Sequence, residues 1–256
     1  MKNKIMELGY SQREVEELIK VSKNIELDYK KLLKKYPIQY LIGYVNFYGY
    51  NIKVNEDVLI PRYETEYLVE KTIKKSKELF NKKVKILDLG TGSGAIAISL
   101  YKEIESEVTA VDISNKALDI ARKNAKINNA NINIINSDLF KNINDKYDII
   151  ISNPPYISKD EKIMESVYKY EPHLALYADD NGLYYYKQIL KDSKKHINEK
   201  YIIAFEIGYL QGEAICEIAK KYYSDASIIV EKDLSGKDRY VFIIKEWIKI
   251  TKTNQY

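Results

Sequence analysis

Cysteine and histidine are nearly absent from this chain of 256 residues: Cys216 stands alone, and there are two histidines. One thiol cannot form an internal disulfide, and so few soft ligands leave no cluster for a metal, so none is expected. Cys216 falls in a helical pattern with Ile215, Ile218 and Ala219 and is expected in the core. No apolar run approaches the roughly 20 residues of a membrane span, so no membrane association is expected. The opening stretch MKNKIMELGYS is followed by no apolar leader segment, which argues against a secretory signal and for a cytoplasmic location. An excess of charge of one sign is also lacking: 41 basic residues against 37 acidic ones give a formal net charge of +4, with the lysines scattered. That balance describes a solvated surface, and stable nucleic-acid binding is not expected from it. What is present is a 45% hydrophobic content, enough for a sizeable core in one large domain or one domain with a small appendage.

Two rhythms divide the chain. In residues 11–36, Ser11 and Glu14 have the spacing of a capping box, and Val15, Leu18 and Ile19 follow at helical intervals. Leu32, Leu33 and Tyr36 mark a second short helix, which Pro37 is expected to end. The stretch IQYLIGYVNFYGYNIKVNEDVLIP is rich in Tyr, Val and Ile and broken by Gly43 and Gly49, which predicts a β-hairpin region. Residues 64–80 predict a helix with Thr65 as a candidate cap. From residue 83 onward short apolar strands alternate with helices. KVKILDL, VTAVDI, INIINSD, YDIIIS, YIIAFEIG, SIIVEKD and RYVFIIKEW read as strands. Helices are predicted from Ser114 to about Asn128, over 183–197 and from Gln211. This alternation predicts an α/β, Rossmann-like fold with a mostly parallel seven-stranded sheet covered on both faces. No helix separates the last two strands, and Ser235 and Gly236 predict an antiparallel closing hairpin. The expected organisation is an N-terminal helical segment (1–36), a β-hairpin linker (37–62) and the α/β domain (63–256).

The stretch ILDLGTGSGAIAI places Gly90, Gly92 and Gly94 between a strand and a helix. Such a turn lets a ligand approach the backbone closely, and the helix start behind it offers free N–H groups. Asp112 closes the next strand, where it can accept hydrogen bonds from a ribose diol. Together these features indicate an adenosine-bearing cofactor, and a nicotinamide dinucleotide remains a competitor because Gly90, Gly92 and Ala95 satisfy its looser pattern. Asp88 tilts the choice toward S-adenosyl-L-methionine, whose ammonium group an adjacent acid favours and whose structure has no pyrophosphate to be repelled. Asp138, after the third strand, is placed to accept from an adenine amino group, with Leu139 or Phe140 against the ring.

Two of the five prolines are adjacent, in IISNPPYIS. Pro154 and Pro155 have no N–H, and Asn153 and Pro154, each preceding a proline, are pushed into extended geometry. The stretch keeps its carbonyl acceptors, loses two donors and gains the Asn153 side-chain oxygen. It lies at the carboxyl edge of the sheet, beside the glycine loop. A site built of acceptors suits a planar –NH₂ group, whose two N–H bonds it can take while its lone pair faces an electrophilic methyl group. Tyr156 is placed to pack on that flat group.

The chain resembles the protein-glutamine methyltransferases that modify peptide chain release factors, the HemK/PrmC type. LIPRYETEYLVE, DLGTGSGAIAI, NPPYI, EPHLALYADDNGLYYYKQI and EIGYLQGEAI occur in the family's order, from about Pro37 to Val241. The NPPY motif is shared with amino-methyltransferases that act on DNA, RNA or protein; the R-x-E-T-E block (62–66) and the E-P-x-x-A-L block (171–176) are much more specific to the release-factor branch. The resemblance implies a class I methyltransferase fold with S-adenosyl-L-methionine held by Gly90, Thr91, Gly92, Ser93, Gly94 and Asp112, with Leu139 near its adenine and Thr65 at its methionine end; Asp138 and Asn153 complete the expected cofactor-binding residues. It implies that Asn153 and the Pro154 carbonyl are catalytic. With Pro155 and Tyr156 they receive the glutamine of the Gly-Gly-Gln motif of class 1 release factors, so the activity modifies translation-termination factors. Arg62 and Glu64 are expected to brace their loop. The connection 157–181 is expected to wall the substrate channel, with Tyr168, Tyr170 and His173 on it and packing as their more ordinary role. His196 is expected at a helix end as a favourable charge. Two departures stand out: Tyr63 follows Arg62 where the family has proline, and the N-terminal helical portion, expected to dock the substrate, is about half the family's length.

Overall fold

A computed structural model describes residues 1–246. Among these residues nine strands form two sheets. The small one is a hairpin of β1 (Tyr44–Phe47) and β2 (Tyr50–Lys53), turned by Tyr48 and Gly49, both with positive φ. The large one contains β3 (Val84–Leu89), β4 (Ser106–Asp112), β5 (Asn133–Asn136), β6 (Tyr147–Ser152), β7 (Ile197–Glu206), β8 (Ser227–Lys232) and β9 (Asp238–Lys245). Its order is β5-β4-β3-β6-β7-β9-β8, parallel through β7 and antiparallel at β9 and β8. The central strands are buried on both faces, as parallel strands between helical layers must be, with every residue of β6 buried, while the edge strands β5 and β8 are partly exposed.

Alternate residues of these strands feed two cores. Ile86, Val108, Ile149, Ile151 and Ile202 pack on one face under α5 (Tyr63–Leu79), α6 (Ala95–Glu103) and α7 (Asn115–Ile127). Leu87, Val111, Ile150, Ile203 and Phe205 pack on the other under α9 (Tyr184–Asp192) and α10 (Gly212–Tyr222). The N-terminal helices α1 (Lys2–Met6), α2 (Gln12–Val21), α3 (Ile25–Leu33) and α4 (Ile38–Ile42) close over a small core of Ile5, Val15, Leu18, Leu32, Ile38 and Ile42. Ser11 and Glu14 form the anticipated capping box of α2, and Ser114 caps α7.

Several expectations are revised. Pro37 does not end a helix region; it is the N-cap of α4, a place where its missing N–H costs nothing, and Gly43 in the left-handed region ends that helix. Thr65 is not a cap, because α5 begins at Tyr63 with Arg62 at the N-cap. The helix read over 183–197 stops at Asp192, passes through a short 3₁₀ turn, and Ile197 already belongs to β7. Cys216 is half-buried rather than core. The last strand stops at Lys245; Trp247 of its predicted span, and residues 247–256 of the predicted α/β domain, lie outside the described residues. Among the described residues no helix is long and apolar enough to cross a membrane.

The sheet order reverses at β3: the chain runs outward through β4 and β5, then returns to place β6 on the other side. Such a switch point leaves a crevice at the carboxyl ends of the strands. Leu89 pairs in register with Ser152, so the glycine loop after β3 and the Asn-Pro-Pro-Tyr stretch after β6 emerge side by side.

Candidate active site

The loop from β3 to α6 is held from both sides. Gly90, Gly92 and Gly94 all have positive φ. Asp112, ending β4, accepts the N–H of Gly92 on Oδ2 at 2.9 Å and that of Ser114 on Oδ1 at 2.9 Å. Burial pushes the Asp112 carboxyl up, and these backbone donors pull it back. Thr91 donates to Asp88 Oδ2 at 2.6 Å. Asp88 is 0% exposed, and its Oδ1 has no partner among the described residues. Burial pushes its pKa up to about 7, with the Thr91 hydroxyl acting in the opposite direction. Asp88 therefore sits beneath the loop and does not line the crevice, which removes the direct contact with a cofactor tail inferred from its position in sequence.

The crevice encloses about 880 Å³, including its open mouth. Gly90, Gly92, Asp112, Asp138, Leu139, Asn153, Pro154 and Pro155 line it, and Asp57, Leu174 and Tyr185 join them. Thr91 and Ser93 are buried behind the loop, Gly94 backs onto Ala121, and Thr65 is buried too; none of these four lines the crevice. Asp138 pairs with Lys141 at 2.6 Å. A second pocket, about 420 Å³, adjoins the first, with Asn153, Pro154, Leu59 and Ala175 on the border of both. Arg62, Tyr156, Val167 and Glu206 complete its wall. Tyr156 thus faces the smaller pocket alone, where burial pushes its phenol far up.

The Asn153 amide is engaged on its nitrogen: Nδ2 donates to Thr65 Oγ1 at 3.2 Å, and the Thr65 hydroxyl donates to Glu206 Oε2 at 2.7 Å. Asn153 Oδ1 accepts no hydrogen bond from the described residues. The rest of the motif is anchored by its neighbours. Ser152 donates to the Leu89 carbonyl at 2.7 Å, and Gln211 Nε2 donates to the Tyr156 carbonyl at 2.9 Å. Arg62 pairs with Glu171 at 2.5 Å, and Glu171 also accepts the Ile60 N–H at 3.1 Å. This ion pair ties the start of α5 to the long connection after the motif, and the Glu64 carbonyl accepts from Tyr240.

The connection carries α8 (Glu165–Tyr170) and a 3₁₀ turn at His173–Ala175. Leu174 from it walls the crevice and Val167 the smaller pocket, with Ala175 between them. Tyr168, Tyr170 and His173 line neither space. Tyr170 donates to the Lys34 carbonyl at 2.9 Å, and the His173 ring lies 5.0 Å from Tyr168 and 5.5 Å from Tyr177. His196 follows the 3₁₀ turn and stacks on Phe140 at 4.8 Å. Glu206 was missed from sequence; its signal is a carboxylate closing the otherwise apolar run YIIAF at the same sheet edge.

A seven-stranded sheet of this order, with a glycine loop and an acceptor-rich proline stretch at adjacent strand ends, defines an α/β methyltransferase. The family model "Methyltransferase small domain" matches residues 65–170. A methyltransferase structure from Pyrococcus furiosus superposes with a TM-score of 0.59 at 20% identity, over 78% of this chain and 90% of that one. The release factor glutamine methyltransferase of Streptococcus pneumoniae is 44% identical over 222 residues, 86% of this chain and 78% of the relative. That of Lactococcus lactis is 45% identical over 217 residues, 84% of this chain and 79% of the relative. The chain belongs to the release factor glutamine methyltransferase family.

Proposed function

We propose that this enzyme transfers a methyl group from S-adenosyl-L-methionine to the side-chain amide nitrogen of the glutamine in the Gly-Gly-Gln motif of class 1 release factors. Membership of the family supports the reaction and the substrate class. The crevice supports the cofactor: three carboxylates line it and no lysine or arginine does among the described residues, and although Asp57 pairs with Lys116 and Asp138 with Lys141, Asp112 at its centre has only backbone N–H partners. That lining favours a cation and disfavours the pyrophosphate of a dinucleotide. Gly90 and Gly92 would admit the cofactor to the backbone, Asp112 would hold its ribose, and Asp138 and Leu139 its adenine. When bound, it supplies a methyl group made electrophilic by a sulfonium.

The observation that carries the mechanism is the Asn153–Thr65 hydrogen bond, which commits the amide nitrogen and leaves Oδ1 for substrate. Asn153 Oδ1 and the Pro154 carbonyl would take the two N–H bonds of the glutamine amide. They would aim its nitrogen and favour the positive charge that develops on it. Tyr156 and Val167 would supply an apolar wall against the flat amide group. The expected partner is therefore a release factor rather than nucleic acid, met in the cytoplasm. The test is a mass spectrum of the Gly-Gly-Gln peptide after incubation of enzyme, cofactor and release factor. A gain of one methylene mass is expected; label from the cofactor appearing on DNA or rRNA and not on the release factor would overturn the reading.

A further inference from the structure

We propose that Glu206 is a positioning residue acting through Thr65, and that the Glu206–Thr65–Asn153 chain of hydrogen bonds decides which end of the Asn153 amide faces the substrate. The inference rests on Asn153 being the acceptor for the substrate amide. An asparagine amide has ends of nearly equal shape, one accepting and one donating, so packing alone does not choose between them. The Thr65 hydroxyl has a single proton. An ionised Glu206 can only accept, and it takes that proton at 2.7 Å. Thr65 Oγ1 is then left as an acceptor, and only the nitrogen end of Asn153 satisfies it, at 3.2 Å. The oxygen end is turned to the pocket. A reversed amide would set two acceptors against each other with no proton between them.

The three residues come from three elements: the last position of β7, the first turn of α5 and the stretch after β6. Glu206 is 2% exposed and lies at the inner wall of the smaller pocket, with Thr65 as its side-chain hydrogen-bond partner. The groups facing it are Arg239 and Tyr240 from β9, Arg62 and Glu64 at the start of α5, Tyr156 after β6, and Tyr186 from α9, whose hydroxyl donates to Glu206's own carbonyl at 2.8 Å. Arg239 and Arg62 favour the ionised carboxylate and Glu64 opposes it, while burial is the largest influence and pushes its pKa up to about 7. A protonated Glu206 gains a donor of its own. The chain can then run backwards, from Glu206 to Thr65 and from Thr65 to Asn153 Oδ1, which presents a donor to a substrate –NH₂ group that itself only donates. The charge on Glu206 thus sets the direction of the relay, and the competent direction belongs to the ionised state.

The test uses the full enzyme with S-adenosyl-L-methionine and release factor. Thr65→Val is expected to lower kcat about tenfold or more, with cofactor affinity and the KM for release factor held within about threefold. Thr65→Ser, which restores the hydroxyl, is expected to recover most of the turnover. In the parent enzyme kcat/KM is expected to rise with pH through about 7, and Glu206→Gln is expected to remove that rise. Equal loss in Thr65→Val and Thr65→Ser, or an unchanged pH profile in Glu206→Gln, overturns the relay. Should Glu206→Gln fail to fold, as judged by cofactor titration, the Thr65 pair decides alone. A parent enzyme that does not methylate release factor refutes the proposed function instead, so the two failures are distinct.

Discussion

At the scale of single residues, the site assigns opposite tasks to the two ends of one amide. Asn153 Nδ2 is spent inward on Thr65, and Oδ1 remains for substrate. In the proposed mechanism the side chain is one of two acceptors for the substrate amide, so Asn153→Ala is expected to lower kcat about 10²-fold or more in steady-state assays. Asn153→Asp separates geometry from hydrogen-bond polarity. The carboxylate is isosteric but accepts only, so its inner oxygen would face a Thr65 whose proton is committed to Glu206. Its turnover at neutral pH is expected to be no better than that of the alanine variant; near-normal turnover would show that the nitrogen end is dispensable. Asp112 acts on the other pocket. It accepts two backbone N–H groups of the loop, from Gly92 and Ser114. Asp112→Ala is expected to weaken cofactor binding about 10- to 100-fold by calorimetric titration, because hydrogen bonds to a charged acceptor are among the stronger ones.

At the scale of elements, the acceptor stretch is stiff by itself but is aimed by its neighbours. Gly182 has φ of +81°, and a Cβ there would run into the Tyr156 carbonyl and Gln211 Nε2. Gly182→Ala is therefore expected to cost at least about 1–2 kcal/mol from the left-handed backbone alone, and to lower kcat by displacing the stretch. Thermal melting together with single-turnover assays checks both effects, and a variant with unchanged turnover would mean that the turn carrying Gly182 does not aim the site. The strands of the large sheet were legible because each is a short β-branched run bounded by polar residues, and parallel burial leaves no other use for such runs. The helix at Ile38–Ile42 is not legible in the sequence, because a proline serves equally as a helix stop and at a helix start, and the five residues after it are rich in the β-formers of a strand. The glycine loop, Asp112 and Asn-Pro-Pro-Tyr could be found because each motif is local. Asp88 misled, since sequence gives its distance from the loop but not that it lies beneath it. The Thr65–Glu206 contact joins residues 141 positions apart, and no local pattern carries such a pairing.

At the scale of the whole molecule, Asp88 and Glu206 place stability and activity in opposition. Both are fully buried carboxylates whose pKa is pushed up to about 7 from ordinary values of 3.8 and 4.5. Between those ordinary values and about 7 the folded chain binds more protons than the unfolded one, so stability falls as pH rises through that window and the loss is complete above it. Each unit of such a shift corresponds to about 1.4 kcal/mol. Urea denaturation is therefore expected to give a lower unfolding free energy at pH 8 than at pH 6, and Glu206→Gln, which cannot ionise, is expected to narrow that difference. A parent protein equally stable at both values, with the variant following it, would show that Glu206 does not titrate in this range. Catalysis is expected to have the reverse slope, because an ionised Glu206 can only accept from Thr65 and so fixes the Asn153 oxygen outward, whereas a protonated one also allows the reversed chain. A neutral apolar residue at 206 would suit the core better at every pH above the window, yet it would leave the direction of the acceptor amide undetermined. The buried carboxylate is thus a local violation of core-packing rules that the fold tolerates at its active edge.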